Sequence, residues 1–456
     1  MKTAILLAAG RGTKCWPYNV TQQKAALPLA NKPIICWQVE KLKTAGIENF
    51  IVVVGYRQEQ VRHALSPYDN ISFVEQTGHG TVDAVLSAVS DLQDERFLVM
   101  YGDIVLRFDD ISNFIKNQNH DAVCSMIVHS LKNEQPQDWM CAQVKDDQVE
   151  RVVGHPRDDV THRVCGLFSL SKTFLPYLKQ TYGAMRSVQV GMMPPDEAQL
   201  EDAIQIAIES RESVDAIETR GLFFDIDKPW HYLHASYDWN AYICSKIEKD
   251  VICPGCNISD GADISGRLLL GDHVEIGKGT IIEGNAVVGA NTKLIQGAIL
   301  EKNCVIGQRT TIRRYSQIEH NTTIGDDCFV GHAAEVAGLL LHRVYAYHYG
   351  EFWGIIGDNS DLGAATVCGN LRFDDLETLH RVKGRRELPH FGANAAYLGD
   401  YVRTGVNTII MPGAKVGPYS VIGAGTMISG DVPERQLVFM KQEHEIRDWG
   451  PEKYGW

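Results

Sequence analysis

The strongest pattern in this chain is an apolar residue at every sixth position of its second half. From Ile252 to Val336, each such position holds Ile, Leu or Val. Gly or Asn often follows within two residues, where a tight corner needs backbone angles that most side chains resist. A helix would space apolar residues by three and four, and an amphipathic strand by two, so neither explains a period of six. The pattern predicts a left-handed parallel β-helix with three flat faces per turn.

The six-residue phase breaks after Val336 and then returns. Its later aliphatic positions are Ile356, Leu362, Leu398, Ile410, Val416, Ile422 and Ile428. Between Cys368 and Tyr397 a charged stretch interrupts the coils, and insertions on a solenoid tend to gather on its functional face. We therefore predict a β-helix domain over residues 251–456, with an insertion at about 369–397.

The first half alternates strand-like and helix-like apolar patterns. Predicted strands over 3–7, 50–54, 71–75 and 97–101 alternate with predicted helices near 33–45, 58–64 and 82–89. This alternation indicates parallel strands with crossover helices, and ligands then bind beyond the carboxyl ends of the strands. We predict an α/β Rossmann-like domain over residues 1–230. Residues 231–250 lack Gly and Pro and are predicted to form a linker helix.

The composition narrows the range of partners. The formal net charge is −13, and no dense Lys/Arg stripe is available to neutralise a nucleic-acid backbone. No apolar run approaches the roughly 20 residues of a membrane-spanning helix. Eleven cysteines without regular spacing are typical of reduced thiols, and the apolar N-terminus lacks a signal-peptide cleavage region. We expect a cytoplasmic protein that binds small molecules, without nucleic-acid or membrane partners.

A glycine-rich segment follows the first predicted strand. Its small residues let backbone N–H groups close on a phosphate, and Arg11 and Lys14 add positive charge. Lys24 follows ten residues later, and Tyr101-Gly102-Asp103 ends a buried strand. Together they indicate a nucleotide site. The residues of this phosphate loop are Leu7, Ala8, Ala9, Gly10, Arg11, Gly12, Thr13 and Lys14.

These motifs resemble those of the sugar-1-phosphate nucleotidyltransferases, and more closely the bifunctional archaeal-type kind with a left-handed β-helix acyltransferase domain. The resemblance covers nearly the whole chain. It implies that the phosphate loop wraps a triphosphate and that Lys24 contacts phosphate groups. It also implies that Gln76 with Gly80 and Thr81 reads the base, with UTP favoured as the nucleotide.

By the same resemblance, Asp103 and Asp225 hold Mg²⁺, and Tyr101 and Gly102 belong to the nucleotide site. The chemistry agrees, because a phosphate attacking a nucleoside triphosphate brings two anions together, and carboxylates, a divalent ion and fixed cations offset that charge. Asp227 is an alternative ligand to Asp225, since it lies one alternation away on the same predicted strand.

The sugar-side positions depart from the family. Gly154-His155-Pro156 stands where Glu-Lys-Pro is usual, Val164-Cys165-Gly166 replaces Asn-Ala-Gly, and Ala142 replaces a glycine. Polar groups that would bond sugar hydroxyls are lost, and such groups carry much of the discrimination between substrates. The acceptor is therefore left open as a sugar 1-phosphate or a similar phosphorylated metabolite.

The second half resembles acetyl-CoA-dependent acetyltransferase domains in the segments 363–374, 402–407 and 411–413. His348 is the candidate general base, since acetyl transfer needs a base with a pKa near neutrality. Counting back from Asn370, however, places the expected position on Tyr347, one residue away. The family implies a homotrimer. The basic insertion residues Arg381, Lys383, Arg385 and Arg386 either meet coenzyme A phosphates beside a neighbouring subunit or form a solvated loop.

Three hypotheses follow. The first is an Mg²⁺-dependent nucleotidyltransferase, with acetylation of the same metabolite left open. The second is a catalytically silent regulatory subunit, against which the intact Gly10, Lys24, Asp103 and Asp225 argue. The third is an acyltransferase with a vestigial first domain.

Overall fold

The computed structural model describes residues 1–131, 134–157, 160–181 and 197–454. Its first half is built on one nine-stranded sheet. The strands are β1 (Thr3–Ala8), β2 (Asn49–Val54), β3 (Ile71–Glu75), β4 (Arg96–Tyr101), β5 (Cys124–Ser130), β6 (Met140–Lys145), β7 (Gln148–Gly154), β8 (His162–Ser171) and β9 (Val214–Glu218). Their spatial order is β3-β2-β1-β4-β8-β5-β9-β7-β6. The first four strands are parallel, as predicted, and β8 runs antiparallel to β4 and β5.

Helices cover both faces of this sheet because successive strand residues point to opposite sides. The helices are α1 (Ile34–Thr44), α2 (Gln58–Leu65), α3 (Thr81–Ala88), α4 (Phe108–Asn117), α5 (Leu175–Gln180), α6 (Leu200–Glu209) and α7 (Pro229–Ser245). Helices α1, α2 and α4 pack on one face and α3, α5 and α6 on the other. The three predicted crossover helices are confirmed to within a residue. Within the described residues, no helix is both long and apolar enough to cross a bilayer.

The second half is a parallel β-helix of short strands. One face contains Val251–Ile252, Leu268–Leu270, Ala286–Val288, Cys304–Ile306, Thr323–Ile324, Ala396–Leu398 and Lys415–Val416. The next contains Asn257–Ile258, Glu275–Ile276, Lys293–Ile295, Thr311–Arg313, Phe329–Gly331, Tyr345–Tyr347, Asp361–Leu362, Arg403–Thr404, Val421–Ile422 and Leu437–Val438. The third contains Asp263–Ile264, Ile281–Ile282, Ile299–Leu300, Gln317–Ile318, Val367–Cys368, Ile409–Ile410 and Met427–Ile428. Two longer strands, Glu335–Leu340 and Glu351–Ile356, join the first and third faces.

The six-residue apolar phase forms the interior of the coils. From Leu270 to Val336 every aliphatic residue of the phase is buried, and the positions from Ile356 to Ile428 are buried as well. Ile252 is half exposed because it lies on the first coil, which no earlier coil covers. The periodicity therefore predicted the core correctly except at its open end.

The coils shorten near the middle of the β-helix. Ile318 stacks on Val336, 18 residues later, but Ile324 stacks on Leu340, only 16 later. The shorter coils arise where the two six-residue strands run straight through a corner. Gly338 at this corner has a φ of 102°, and a Cβ there would lie 2.3 Å from the carbonyl oxygen of Gly354. The sequence indicated an offset of one residue near His348. In the structure, the coils that contain these two long strands are each two residues shorter than the 18-residue coils before them.

Helix α7 lies between the two halves and packs on both. Trp230 and Trp239 are buried in a cluster that includes Tyr18 from the first half and Ile355 from the β-helix. The hydroxyl of Tyr18 donates to the carbonyl oxygen of Ile355, with an oxygen-oxygen distance of 2.9 Å. The segment that follows the phosphate loop is therefore anchored on the β-helix.

Candidate active site

The phosphate loop leaves β1 at the carboxyl edge of the parallel strands. The side-chain amide of Gln23 donates to the carbonyl oxygen of Ala8 at 2.7 Å and holds the start of the loop. Gly12 has a φ of 57°, a left-handed conformation that favours glycine. A Cβ added to Gly10 would meet no protein atom within 4 Å. The protein thus leaves the space beside Gly10 open, as binding of an anion to loop N–H groups requires.

Lys24 lies at the centre of a cluster of carboxylates. Its Nζ is 2.5 Å from an oxygen of Asp103 and 3.8 Å from one of Asp227. Lys14 reaches the same Asp227 with its Nζ at 3.0 Å. Burial by itself lowers the pKa of Lys24, but attraction to Asp103, Asp227 and Asp225 outweighs it and raises that pKa well above its usual range. Lys24 is therefore a fixed positive charge beside the phosphate loop.

Asp225 and Asp227 differ in their surroundings. Asp225 ends the strand Phe223–Asp225, and the N–H of Ile226 donates to the carbonyl oxygen of Asp103 at 3.0 Å, so the two acids are adjacent. Burial, with the charges of Asp103 and Asp227, raises the pKa of Asp225 to about 6. Asp227 lies beyond the end of the strand, so its predicted position on the same strand face is wrong. Burial would raise the pKa of Asp227, but the two lysines hold it below its usual range.

Asp103 and Asp225 fit a magnesium site. Two adjacent carboxylates in a buried setting resist ionising together, and a divalent cation relieves that repulsion. The described residues contain no group of three or more side chains that could hold a metal by themselves. Mg²⁺ is commonly held by one or two carboxylates while substrate phosphates complete its shell. The pair therefore suits an ion that binds together with a nucleotide.

The predicted base-reading residues lie at the start of α3. The N–H of Gln76 donates to the carbonyl oxygen of Val54 at 2.9 Å, and its side-chain amide donates to that of Gly80 at 2.9 Å. Gly80 has a φ of 92°, and a Cβ there would lie 2.4 Å from the carbonyl oxygen of Ala198. The hydroxyl of Thr81 accepts from the N–H of Leu200. Gln76 is therefore held by two hydrogen bonds to backbone carbonyl oxygens.

Other predicted residues have structural partners. The hydroxyl of Tyr101 donates to the buried Glu201 at 2.9 Å. The N–H of Gly102 donates to the carbonyl oxygen of Leu7, which ties β1 to the end of β4. The guanidinium of Arg11 lies 5.5 Å from the ring centre of Tyr56. Tyr101 and Gly102 thus hold the end of β4 in place through bonds to Glu201 and to β1.

Two polar residues beside the carboxylates, Arg163 and His231, were not predicted from the sequence. Arg163 on β8 is buried, pairs with Glu134 at 2.7 Å, and stacks 3.3 Å from the ring centre of Trp139. Its Nε and the Nδ1 of His231 are buried without a hydrogen-bond partner in the described residues. Burial, then Lys228, lowers the pKa of His231 to about 3, so its ring is neutral. The signal was local: Arg163 directly precedes the altered Val164-Cys165-Gly166 segment.

The positions that depart from the family are mostly packing residues. Ala142 and Cys165 have no exposed surface, and Val164 is buried. His155 has a φ of 51° and contacts the carbonyl oxygen of Gln137 at 3.0 Å. Among these positions, His155 is the one with an imidazole, and its ring is exposed and in contact with Gln137. Arg163 and His231 are the polar groups beside the carboxylates instead.

In the β-helix, His348 lies at a left-handed corner with a φ of 70°. Its Nδ1 is 3.0 Å from the Nδ1 of His332, one coil earlier, and its ring centre is 4.1 Å from that of Tyr347. One of the two histidines donates and the other accepts, so the accepting ring is neutral. Tyr347 itself is buried, which leaves His348 as the residue at the corner.

Comparison with known proteins agrees with this architecture. Residues 3–240 match the nucleotidyl transferase family. Residues 303–338 and 395–430 match the bacterial transferase hexapeptide repeat, and residues 269–312 match the hexapeptide repeat of succinyl-transferase. The chain therefore belongs to the nucleotidyl transferase family through its first half, and the hexapeptide-repeat matches lie in its second half.

Several relatives align with nearly the whole of this chain. Proteins named bifunctional protein GlmU are similar over 96% of this chain and 98% of their own length, with 29% identity in Methanocaldococcus jannaschii and 31% in Methanococcus maripaludis strain C7. A bifunctional sugar-1-phosphate nucleotidylyltransferase/acetyltransferase of Sulfurisphaera tokodaii is 28% identical over 94% of this chain and 98% of its own.

Proposed function

Because the chain belongs to the nucleotidyl transferase family and is an enzyme of that type, we propose that it transfers a nucleotidyl group to a sugar 1-phosphate or a similar phosphorylated metabolite, releasing pyrophosphate. The observation that carries the proposal is the meeting of the phosphate loop, Lys24, Asp103 and Asp225 at one edge of the parallel strands. A scaffold has no physical need for two carboxylates and a buried lysine beside an open glycine loop.

In the proposed reaction, a phosphate oxygen of the acceptor attacks the α-phosphorus of the nucleotide. The bond between that phosphorus and the oxygen bridging to the β-phosphate breaks, and pyrophosphate leaves with the electron pair. Lys24 and Lys14 offset the negative charge of the phosphates, and Asp227 fixes the direction of both ammonium groups. A magnesium ion held by Asp103 and Asp225 would supply further charge neutralisation at the phosphates.

Arg163 and His231 are proposed to receive the acceptor. Buried polar atoms without partners are costly, so Arg163 Nε and His231 Nδ1 favour a ligand that bonds to them. A guanidinium suits a phosphate, and a neutral imidazole suits a hydroxyl. This pair supports a phosphorylated acceptor while differing from the groups that the family uses for its sugar.

For the nucleotide, UTP is the proposed donor. An amide side chain can pair with the edge of uracil, and Gln76 is held in place by its bond to Gly80. The relatives' names agree with a nucleotide-sugar product without naming the base for this chain.

The β-helix is proposed to add a second activity, acetyl transfer from acetyl-CoA, with His348 as general base. The corner pair of His348 and His332 and the hexapeptide matches support this activity. A homotrimer is proposed on the same grounds, and the exposed apolar residues Ile409, Val421 and Met427 on the coil faces favour subunit contacts. The eleven free cysteines favour a reducing, cytoplasmic location.

The test is incubation with each nucleoside triphosphate and a panel of sugar 1-phosphates while pyrophosphate release is followed. UTP with at least one acceptor should give turnover, and Asp103→Asn should abolish it. Asp69→Asn, which removes an exposed carboxylate outside the cluster, is the matched control and should remain active. If no pair releases pyrophosphate but acetyl-CoA is consumed with an amino sugar, the acyltransferase reading with a vestigial first domain replaces this one. If neither activity is found, the silent regulatory reading replaces it.

A further inference from the structure

A cavity of about 210 Å³ lies where the β-helix insertion meets the phosphate loop. Thr13 and Lys14 of the loop form one wall and the start of α7 another. The third wall comes from the insertion hairpin His380–Val382 and Arg385–Glu387, together with Lys415. The hairpin thus packs against the first half of its own chain. The residues that line the cavity are Thr13, Lys14, Trp16, Pro229, Trp230, Arg381, Val382, Lys383 and Lys415.

The hairpin is firmly held in this position. Val382 is buried in the hydrophobic cluster between the two halves that also contains Trp230 and Tyr18, called the junction cluster below. Glu387 pairs with the buried Lys228 just before α7. The ring of Phe391 stacks on that of His234, with ring centres 4.8 Å apart. The cavity wall is therefore part of the packed core between the two halves.

The cavity carries an excess of positive charge. Lys14 and Lys415 each have a carboxylate partner, Asp227 at 3.0 Å and Asp431 at 3.2 Å. Arg381 and Lys383 are exposed at the cavity mouth, and in the described part of the chain neither has an ion-pair or side-chain hydrogen-bond partner. An acidic protein that directs unneutralised cations into one cavity favours an anionic ligand there.

Lys415 is held so that its charge faces the cavity. It is almost fully buried, and its Nζ lies 3.1 Å from the Nδ1 of His380. His380 donates from its Nε2 to the carbonyl oxygen of Ala393 at 2.8 Å, so its Nδ1 must accept from Lys415. The imidazole is therefore neutral and orients the ammonium group of Lys415. Asp431 offsets part of the cost of burying this ammonium group, and an anion in the cavity would offset more of it.

The size of the cavity limits the ligand. Sites for drug-sized molecules usually enclose roughly 300–1,000 Å³, so this one is too small for a whole nucleotide. It suits a small polyanion instead. Lys14 belongs to this cavity and also to the carboxylate cluster through Asp227, so the anion would lie next to the triphosphate end of the active site.

We propose that this cavity binds the pyrophosphoryl group, which is the terminal pair of phosphates before transfer and the released pyrophosphate after it, and that Arg381 and Lys383 of the β-helix insertion are binding residues of the nucleotidyltransferase site. The inference rests on the proposed function above. As the bond to the α-phosphorus breaks, the leaving pyrophosphate gains negative charge, and these two cations with Lys14 and Lys415 offset it.

The test compares Arg381→Gln/Lys383→Gln with the wild type and with Arg386→Gln in the full-length protein. Arg386 lies opposite Arg381 in the hairpin register, is exposed, and does not line the cavity, so it removes a similar charge elsewhere on the hairpin. Calorimetry with inorganic pyrophosphate and Mg²⁺ should show binding weakened by about tenfold for each cation removed, and by less than about twofold for Arg386→Gln.

Steady-state kinetics then shows whether the cavity binds pyrophosphate as the leaving group of the reaction or binds it at a site that the reaction does not use. The double variant should raise the KM for nucleoside triphosphate in the forward direction and for pyrophosphate in the reverse direction. Unchanged pyrophosphate affinity overturns the proposal, and so does weakened affinity with both KM values unchanged, because the anion would then bind off the reaction path. Calorimetry needs no turnover, so an enzyme that releases no pyrophosphate refutes the proposed function while the cavity is still tested.

Discussion

Replacing Lys24 by methionine should destabilise the first half of the protein as well as inactivate it. The ammonium group lies 2.5 Å from Asp103 and 3.8 Å from Asp227, and its side chain is only 12% exposed. At an effective dielectric constant of about 20 these contacts give on the order of 10 kcal/mol of attraction, most of which the cost of burying the ions offsets. Methionine keeps the apolar stem but leaves the carboxylates facing one another. We expect a loss of about 3 kcal/mol, near the lower end for a broken buried ion pair because Asp103 is partly exposed.

The stability loss caused by Lys24→Met should depend on pH, and its direction follows from the pKa of Asp225. Burial and the neighbouring carboxylates already raise the folded pKa of Asp225 to about 6, above its usual 3.8. A raised carboxyl pKa costs stability at pH values above it, and that cost disappears as the pH falls through the folded pKa toward the unfolded one. Without Lys24 the pKa of Asp225 rises further, because Lys24 is one of the charges that lower it. The deficit should therefore be full near about pH 7.5 and should shrink by about half near pH 5.

Urea unfolding, followed by tryptophan fluorescence and by calorimetry, measures the deficit at both pH values with EDTA present. Mg²⁺ should stabilise Lys24→Met more than the wild type, because the ion then faces two carboxylates with no competing ammonium group. Lys43→Met, which removes an exposed lysine of α1, is the control and should change stability by less than about 0.5 kcal/mol. A deficit below about 1 kcal/mol, or one that grows on acidification, would refute the electrostatic reasoning.

Three further outcomes are expected. Gly354→Ala should destabilise the junction by about 3 kcal/mol in urea unfolding, because its Cβ would lie 2.0 Å from the carbonyl oxygen of Ala396, whereas Gly384→Ala, with open space around its Cβ, should cost only about 1 kcal/mol. Asp400→Asn should raise the melting temperature near pH 7.5 and remove the gain in stability that the wild type shows on acidification, since burial raises the folded pKa of Asp400 to about 6; an unchanged pH profile would contradict this. His348→Ala should lower acetyl transfer by roughly 10²–10⁴-fold and leave pyrophosphate release intact, and unchanged acetylation would remove this residue from the mechanism.

The sequence predicted those features that a short range of residues determines. A period of six follows from the geometry of a β-helix face, so the interior from Leu270 to Val336 could be read directly. The glycine-rich turn after β1 was predicted from the sequence, and its phosphate-binding role stays a prediction, since such a turn can bind anions through its own backbone. Asp103 and Asp225 required the resemblance to a family, since residues 122 apart become neighbours only through the pairing of two short strands.

The parts that were missed depend on tertiary packing. Arg163 lies beside Asp225 because β8 inserts antiparallel next to β4, and the altered segment that follows Arg163 in the sequence does not by itself indicate that placement. His231, at the start of α7, lies beside Asp227. The shortened coils follow from Gly338 and Gly354 stacking at one corner, which a count of sixes reports only as a loss of phase. The position of the insertion hairpin depends on Val382 finding the junction cluster, a contact between distant parts of the chain.

The β-helix also supports the proposed nucleotide site directly, whether or not it transfers acyl groups. The nine residues between Lys14 and Lys24 include Tyr18, which bonds to Ile355, and Gln22, whose side-chain amide donates to Asp400 at 3.0 Å. The two lysines that hold Asp227 are thus the ends of a segment whose middle is fastened to the coils. Because a misplacement of about 1 Å can cost a hundredfold in rate, the coils are part of what positions those charges. A scaffold role and the proposed enzymatic role are therefore compatible in this chain, since Lys14 and Lys24 depend on the β-helix for their geometry.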